Sequence, residues 1–181
     1  MLNKVGLMQG RLSSPVGGKI QSFPKKTWES EFEKAQKLSI KFIEWTLDHK
    51  NLSSNPLLQL SGQKKIKNLC QKNNIKIYSI TGDCFMQKPF WKCNGIYRKK
   101  LIVELKKIIS GASKLKIKFL IIPLVDNGNL ENFSQKKIVI QELNRIKNFL
   151  KKKRSKFYLK QNLIQMKTLN FLKILTKNIS V

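Results

Sequence analysis

Five short apolar segments recur along the chain at nearly even spacing, and an amphipathic stretch separates each from the next. Their centres lie near Val5, Ile43, Ile77, Ile121 and Tyr158, at steps of 38, 34, 44 and 37 residues. Strand and helix alternating at this period indicate βαβ units, whose strands lie parallel in one sheet. The 181 residues suffice for one ordinary domain. We therefore expect residues 1–181 to form a single α/β domain.

Hydrophobic periodicity assigns the individual elements. The predicted strands are Val5–Met8, Ile40–Leu47, Ile75–Ile80, Phe119–Val125 and Phe157–Leu159. The predicted helices are one that Thr27 caps, then Gly62–Asn73, Tyr97–Leu115 and Gln135–Lys153. A short helix at Leu169–Leu175 and the start of a sixth strand at Asn178–Val181 follow. The pattern thus predicts five to six parallel strands.

Two architectures fit such a pattern, an open doubly wound sheet and a (β/α)8 barrel. No Gly-x-Gly-x-x-Gly and no P-loop follows a predicted strand, so the phosphate-binding fingerprints of open sheets are missing. The long loops follow the strands, at 9–26, 48–61, 82–96 and 126–134, whereas the helix-to-strand loops are short. Barrel enzymes carry their active sites on loops at this end of the strands. The asymmetry favours a barrel, and because a complete one needs about 250 residues, an incomplete one.

The charge is strongly positive, with 37 Lys and Arg against 10 Asp and Glu, a net charge of +27. Only four of the basic residues are Arg, and the abundance of Lys, Asn and Ile is typical of an AT-rich genome. Arg is the residue preferred for phosphate and base recognition. The composition therefore favours a solvated basic surface over a nucleic-acid interface. The run Lys151–Arg154 ends a predicted helix, where cations suit the helix dipole.

The cysteines and the amino-terminal residues bear on the compartment. Cys70, Cys84 and Cys93 are odd in number and have no paired spacing, which argues against a disulfide scaffold and favours a reducing cytoplasm. No signal-peptide pattern opens the sequence, and no apolar run approaches the roughly 18 to 20 residues of a membrane helix. We expect a cytoplasmic protein with no membrane partner.

Several short motifs resemble one enzyme family. They are Val5-Gly-Leu-Met-Gln-Gly-Arg-Leu12 at the first strand, Ile20-Gln-Ser-Phe-Pro24 with Thr27-Trp-Glu29 before the first helix, Phe42-Ile-Glu-Trp45, and Ser79-Ile-Thr-Gly-Asp83. Together these motifs are similar to sugar phosphate isomerases and epimerases with a xylose isomerase-like TIM barrel. The resemblance is clear to about Val125 and weaker beyond it.

This resemblance implies an enzyme of carbohydrate metabolism that moves a proton next to the carbonyl of a sugar or sugar phosphate. In intact relatives a carboxylate base takes the proton, and a divalent metal (Mn, Mg, Co or Zn) stabilises the enediolate. The family typically holds the metal with a Glu at strand five, an Asp or His at strand six, a His at strand seven and a Glu at strand eight.

The sequence departs from that pattern at its carboxyl-terminal end. Lys160 stands where the resemblance places the strand-five Glu, and no acidic residue follows Glu142. Strands seven and eight are absent from the sequence. We therefore expect a C-terminally truncated family member that binds no metal as it stands and whose catalysis is impaired.

Residues at the predicted strand ends form the candidate substrate site, because the carboxyl ends of barrel strands share one rim. The substrate-binding candidates are Gln9, Arg11, Glu44, Trp45, Asp83, Phe85 and Asp126. Asp48 stands in the same region as a further carboxylate. His49 is the only histidine, and one histidine cannot form a catalytic metal site, which takes three or more ligands. Cys84 and Cys93 have no neighbouring base, so thiol catalysis is not expected.

Two alternatives remain open from the sequence. The same barrel architecture serves the endonuclease IV family, which cuts DNA at abasic sites, but that family also needs several His and carboxylate ligands. The second alternative is a non-catalytic chain that associates with itself or a partner through an open sheet edge, since unpaired strand edges tend to pair.

Overall fold

The computed structural model of the protein describes residues 6–18 and 22–153, and the backbone of 156–161. Within these residues the strands are β1 (Gly6–Met8), β2 (Phe42–Thr46), β3 (Ser79–Thr81), β4 (Phe119–Leu124) and β5 (Lys156–Gln161). The α-helices are α1 (Ser30–Lys37), α2 (Leu60–Lys72), α3 (Asp83–Gln87), α4 (Gly95–Lys114) and α5 (Phe133–Lys153). Single turns of 3-10 helix lie at Leu52–Ser54, Pro56–Leu58, Phe90–Lys92 and Asp126–Gly128. No helix among them combines the length and the apolar character needed to cross a bilayer.

The strand order decides between the two architectures. All five strands pair in parallel, in the order β1-β2-β3-β4-β5. A doubly wound sheet reverses its strand order at a switch point, whereas each strand of a (β/α)8 barrel lies next to its successor. The predicted fold class is therefore confirmed: an α/β incomplete barrel of five described parallel strands with helices outside.

The side chains on the two faces of the sheet differ in burial. Helices cover one face, and the other is the concave inner face. In β2 and just after it, Ile43, Trp45 and Leu47 are fully buried, while the alternating positions Phe42 and Glu44 are half-buried. Trp45 packs edge-on against Trp28, which precedes α1, with ring centroids 5.5 Å apart. Because successive strand side chains point to opposite faces, Phe42 and Glu44 lie on the inner face.

Three helix-to-strand turns share one hydrogen-bonding pattern. Two residues after the end of each helix, a non-glycine residue occupies the left-handed region: Ser39, Asn74 and Lys116, with φ of 57°, 53° and 59°. After α1, Ser39 N donates to Gln36 O at 2.9 Å and Ile40 N donates to Ala35 O at 2.9 Å. The turns after α2 and α4 repeat this pair of bonds, which defines the Schellman motif. Each motif is followed by an isoleucine, Ile40, Ile75 or Ile117, that packs in or against the core.

The third strand is shorter than its apolar pattern predicts. Ile75–Ile80 was the expected strand, but β3 proper is Ser79–Thr81, and before it only Lys76 forms an isolated bridge, to Phe42. Phe42 pairs with Lys76 and Trp45 pairs with Ile80. The paired positions are thus four residues apart in this segment but only three residues apart in β2. The extra residue is a bulge, which interrupts the ladder and shifts the alternation of buried side chains.

The remaining differences concern element ends. The Thr27 side chain does not cap α1; its hydroxyl donates to Ser13 Oγ at 2.9 Å, and α1 begins at Ser30 after a turn. The short helix α3 was not predicted, because five residues are too few to show a helical period. The predicted Leu169–Leu175 helix and Asn178–Val181 strand lie outside the described residues.

The left-handed turn residues generate a test of stability. Replacing Ser39 by Gly should stabilise the protein by about 0.5 to 1 kcal/mol, because glycine adopts a positive φ without the Cβ clash. In a chain of this size that gain corresponds to a rise in melting temperature of roughly 2 to 4 °C. Ser110→Gly in the interior of α4 is the matched control and should lose about 0.5 kcal/mol. Stabilisation by both variants, or by neither, would contradict this reading of the turn.

Candidate functional site

The carboxyl end of β1 is joined to β2 through Gln9. Gln9 is fully buried, and its backbone oxygen accepts a hydrogen bond from Thr46 Oγ1 at 3.2 Å. Its side-chain Oε1 accepts from Thr46 N at 3.4 Å, while its Nε2 is buried with no hydrogen-bond partner among the described residues. This predicted substrate residue therefore lies beneath the rim surface and connects two strand ends.

The loop after β1 is held by a buried carboxylate that the sequence analysis missed. Both oxygens of Glu31, in the first turn of α1, accept from Gly10 N at 3.0 Å, and Oε1 also accepts from Leu12 N at 3.1 Å. Gly10 has φ of 96°, and a Cβ there would lie 2.5 Å from Ser22 O, so the turn requires glycine. Arg11 is held between these anchors with an exposed side chain.

The electrostatics of Glu31 follow from its burial. Desolvation is the largest effect and raises the pKa of this carboxyl above its usual value, while the amides of Gly10 and Leu12, the Ser13 hydroxyl and the Lys34 charge act in the opposite direction. One signal in the sequence could have revealed it. Glu31 stands on the same helical face as Trp28 and Ala35, where a charged residue needs buried partners.

Asp48, just after β2, connects three loops of the rim. Its Oδ2 accepts from Ser22 Oγ at 2.9 Å and from Phe23 N at 2.6 Å. Its Oδ1 accepts from Gln87 Nε2 at 2.8 Å, and Gln87 Oε1 in turn accepts from His49 N at 2.8 Å. Asn127, after β4, donates through Nδ2 to the backbone oxygen of Gln87 at 2.9 Å. The loops after β1, β2, β3 and β4 are therefore joined by one chain of hydrogen bonds.

Glu44, one of the predicted site residues, lines an open cavity. The cavity has a volume of about 300 Å³ on the inner face of β1, β2 and the segment before β3. Ser79 Oγ donates to Glu44 Oε2 at 2.7 Å, which fixes one carboxylate oxygen and leaves acceptor capacity on the group. The rings of Phe42 and Tyr78, which also line the cavity, have centroids 5.3 Å apart. A carboxylate beside aromatic faces is an arrangement that can bind a polyol with an apolar C–H face.

Trp45 and Phe85 do not lie beside Glu44 in this cavity. Trp45 is fully buried, and its indole Nε1 donates to Asn55 Oδ1 at 3.0 Å. Phe85 is also fully buried and packs edge-on against Phe90 at 6.0 Å. The structure places both rings in the hydrophobic core, and not at a surface where they could stack on a sugar.

The two remaining predicted carboxylates differ in exposure. Asp83 begins α3 in a buried position, where its Oδ1 accepts from Thr81 Oγ1 at 3.2 Å. Asp126 follows β4 in an exposed turn with φ of 50°. The structure thus gives Glu44, Arg11 and Asp126 solvent access and buries Gln9, Trp45, Asp83 and Phe85. The assignment of all seven to substrate binding stays a prediction.

The donor set in the described residues does not suit a divalent metal. No group of three or more His, Cys, Asp and Glu side chains converges among them. Lys160 pairs with Pro123 near the carboxyl end of β5, so a lysine stands at the rim position where the resemblance expects a glutamate. A cation there would repel a divalent ion. The described residues therefore do not fit the metal that the resemblance implies.

Two of the three cysteines lie in surroundings that disfavour the thiolate. Cys84 is fully buried, and desolvation, followed by the charges of Asp83 and Glu104, raises its pKa well above the usual value. Burial raises the pKa of Cys70 to about 11. Because the thiolate is the reactive form, neither group is an activated nucleophile near neutral pH.

Comparison with solved structures gives the same fold. The chain superposes on D-psicose 3-epimerase in the presence of D-fructose (TM-score 0.61, 14% identity) and on the D-psicose 3-epimerase of Clostridium cellulolyticum H10 with D-tagatose (TM-score 0.61, 12% identity). Each match covers 84% of this chain and 50% of the other. A xylose isomerase-like TIM barrel protein from Mycobacterium smegmatis in complex with magnesium matches with a TM-score of 0.62 and 10% identity, over 94% of this chain and 60% of that one.

The chain therefore spans about half to three-fifths of the length of these neighbours, and at such low identity the likeness concerns the fold. No protein-family model matches the sequence, and no curated protein matches it.

Glu31 generates a prediction of pH dependence. Its pKa in the folded protein is raised, so its favourable contribution to stability is complete below the usual pKa of a glutamate and is lost as the pH rises through the raised value. The stability of the wild type relative to Glu31→Gln should therefore fall as the pH rises from about 4.5, the usual pKa of the group, through its raised value. Urea denaturation across this range measures the difference.

Glu33 on the same helix provides a control of opposite sign. Its hydrogen bond and ion pair with Lys37 lower its pKa. The stability of the wild type relative to Glu33→Gln should therefore rise with pH, or stay flat where solvent screens the pair. A wild-type advantage over Glu31→Gln that grows with pH would contradict the desolvation argument.

Asp48 generates a second test. In Asp48→Asn, an amide NH2 replaces one carboxylate oxygen and faces a hydrogen-bond donor, so that hydrogen bond is lost. The free energy of unfolding should therefore fall by about 1 to 2 kcal/mol. Asp126→Asn removes the same charge from an exposed turn and should change it by less than about 0.5 kcal/mol. Chemical denaturation of both variants measures this. Equal effects would mean that Asp48 acts through net charge and not through its hydrogen bonds.

Proposed function

We propose that this chain is a sugar- or sugar phosphate-binding barrel of the isomerase and epimerase type, whose intact relatives move a proton next to a sugar carbonyl. The observation that carries the proposal is Glu44, which Ser79 holds at 2.7 Å on the inner face, beside the rings of Phe42 and Tyr78. The fold shared with D-psicose 3-epimerase structures that contain D-fructose or D-tagatose supports it.

The site would bind a sugar through complementary contacts. The Glu44 carboxylate accepts hydrogen bonds from sugar hydroxyls, and Ser79 keeps it oriented. Phe42 and Tyr78 offer ring faces to the C–H side of the sugar, a contact that excludes water. Arg11, exposed after β1, is the group for a phosphate, since a guanidinium can bind phosphate oxygens through two hydrogen bonds. Asp126, on the β4 side of the rim, would accept a hydrogen bond from a sugar hydroxyl.

We propose further that proton transfer is impaired in this chain. Abstraction of a proton next to a carbonyl requires that the developing negative charge on oxygen be stabilised. The described residues bring together no cluster that would bind a metal for this purpose, and Lys160 stands at the β5 rim position. The proposal is thus binding of the sugar with little turnover. The truncation of a longer barrel stays a prediction. It can be tested by reading the nucleotide sequence beyond codon 181 in all three frames.

The sugar site can be tested by titration of the 15N-labelled protein with D-fructose and D-tagatose. Chemical-shift changes should concentrate at β2 and the segment before β3. Glu44→Gln should weaken binding by about tenfold, because it removes a charged acceptor. Glu33→Gln, an exposed carboxylate on α1, should leave the affinity unchanged. Shifts that are absent in the wild type, or identical in both variants, would refute the sugar site.

Two further measurements separate the parts of the proposal. Calorimetric titration with Mn²⁺ should show no tight site. A sub-micromolar affinity would refute the proposal that proton transfer is impaired, but it would not affect the proposal that the chain binds a sugar. DNA binding with sequence preference and a steep dependence on salt would favour the nucleic-acid alternative instead.

A further inference from the structure

A second cavity lies at the amino-terminal end of the strands, away from the rim, and it shares Tyr78 with the cavity beside Glu44. It has a volume of about 430 Å³ and opens between the carboxyl ends of α2 and α4, where the chain enters β3 and β4. This volume is within the usual range of small-molecule sites, about 300 to 1,000 Å³. Its walls are mainly apolar, and the apolar lining residues are Ile66, Cys70, Ile75, Ile77, Leu115 and Ile117.

Four lysines surround this apolar space. Lys67, Lys76, Lys114 and Lys116 all line the cavity and are exposed, and no acidic residue lines it. Among the described residues, none of these four ammonium groups forms an ion pair. Four unpaired cations repel one another around a cavity of low polarity, so an anion placed among them would be attracted by all four.

The lysines are not needed to satisfy the ends of the two helices. Ile75 N donates to Cys70 O at 3.0 Å at the end of α2, and Ile117 N donates to Ala112 O at 2.9 Å at the end of α4. These bonds already cap carbonyls that a lysine could otherwise bind. Lys116 moreover occupies the left-handed region with φ of 59°, at a turn position that Asn74 fills in the preceding unit. A lysine is strained in this conformation relative to glycine, yet it places a cation at the cavity.

We infer that this cavity binds an aliphatic carboxylate, with the hydrocarbon chain against the isoleucine walls and the carboxylate among the four lysines. The apolar walls alone would accept any hydrocarbon, and the lysines alone any anion; the combination selects a molecule that has both. Cys70 is compatible with an anion nearby, because burial raises its pKa to about 11 and the thiol is therefore neutral at physiological pH.

The affinity of the whole chain for decanoate, at concentrations below micelle formation, tests this inference by calorimetry. Decan-1-ol, which has the same chain and no charge, is the comparison ligand. Decanoate should bind at least about tenfold more tightly than the alcohol, and the difference should shrink as salt is added. Equal binding of the two ligands would overturn the role of the lysines, and no binding of decanoate would overturn the site.

A charge-matched pair of triple variants locates the anion. The variant Lys67→Gln, Lys114→Gln, Lys116→Gln should weaken decanoate binding at least about tenfold and leave decan-1-ol unchanged. The control removes three exposed charges away from the cavity, through Lys99→Gln, Lys137→Gln and Lys151→Gln, and should change neither. Equal losses in the two variants would mean that decanoate responds only to the overall positive charge, which would refute the proposed site.

Alkylation of Cys70 gives a readout that needs no variant. The wild type is labelled with maleimide at mildly alkaline pH, and the labelled sites are mapped by mass spectrometry. Decanoate should slow the labelling of Cys70, whereas sodium chloride at the same concentration should not. Labelling of Cys93, which does not line the cavity, should be unaffected. An unchanged rate at Cys70 in the presence of saturating decanoate would place the ligand elsewhere and overturn the inference. The two cavities share Tyr78, but the lysines and the cysteine that these experiments report on do not line the sugar cavity, so the sugar site can fail while this one stands.

Discussion

The turn that returns each helix to the sheet is the constraint on which the rest of the structure depends. A parallel sheet requires every strand to begin again at the same edge, so each helix must stop and reverse within a few residues. After α1, α2 and α4 the chain reverses with the same pair of backbone hydrogen bonds, and an isoleucine follows at the same position each time. The repeated turn sets where each strand starts, and hence which side chains reach the inner face and the rim.

The strand and helix pattern was predictable because burial enforces it. Phe119–Leu124 is apolar throughout, and α4 and α5 present apolar residues at helical spacing over 20 and 21 residues. The bulge before Ser79 was not predictable, since Ile75, Ile77 and Ile80 satisfy an apolar pattern whether or not one residue is extra. Short helices such as α3 escape detection for a related reason: their tertiary contacts, and not a local period, determine them.

The candidate site was predictable as a region and not as a set of contacts. In the structure Asp48 and Asp126 follow β2 and β4, whereas Glu44 lies within β2. Position along the predicted strands could only suggest that these three residues share one rim. It could not tell which carboxylate faces a cavity, because that depends on partners distant in sequence: Ser79 for Glu44, and Ser22 with Gln87 for Asp48. The helical position of Glu31 indicated burial, but its partners could not be identified from the sequence, because they are the backbone amides of Gly10 and Leu12.

The hydrogen bonds that converge on Asp48 have a consequence for motion. Phe23, His49, Gln87 and Asn127 belong to the four segments that follow β1 to β4, and Gln87 is the last residue of α3. Each is one or two hydrogen bonds from the same carboxylate. A loop cannot swing away from the barrel mouth without releasing its neighbours. The mouth should accordingly open as one cooperative unit, with a shared opening free energy and correlated amide exchange, and not as four independent flaps.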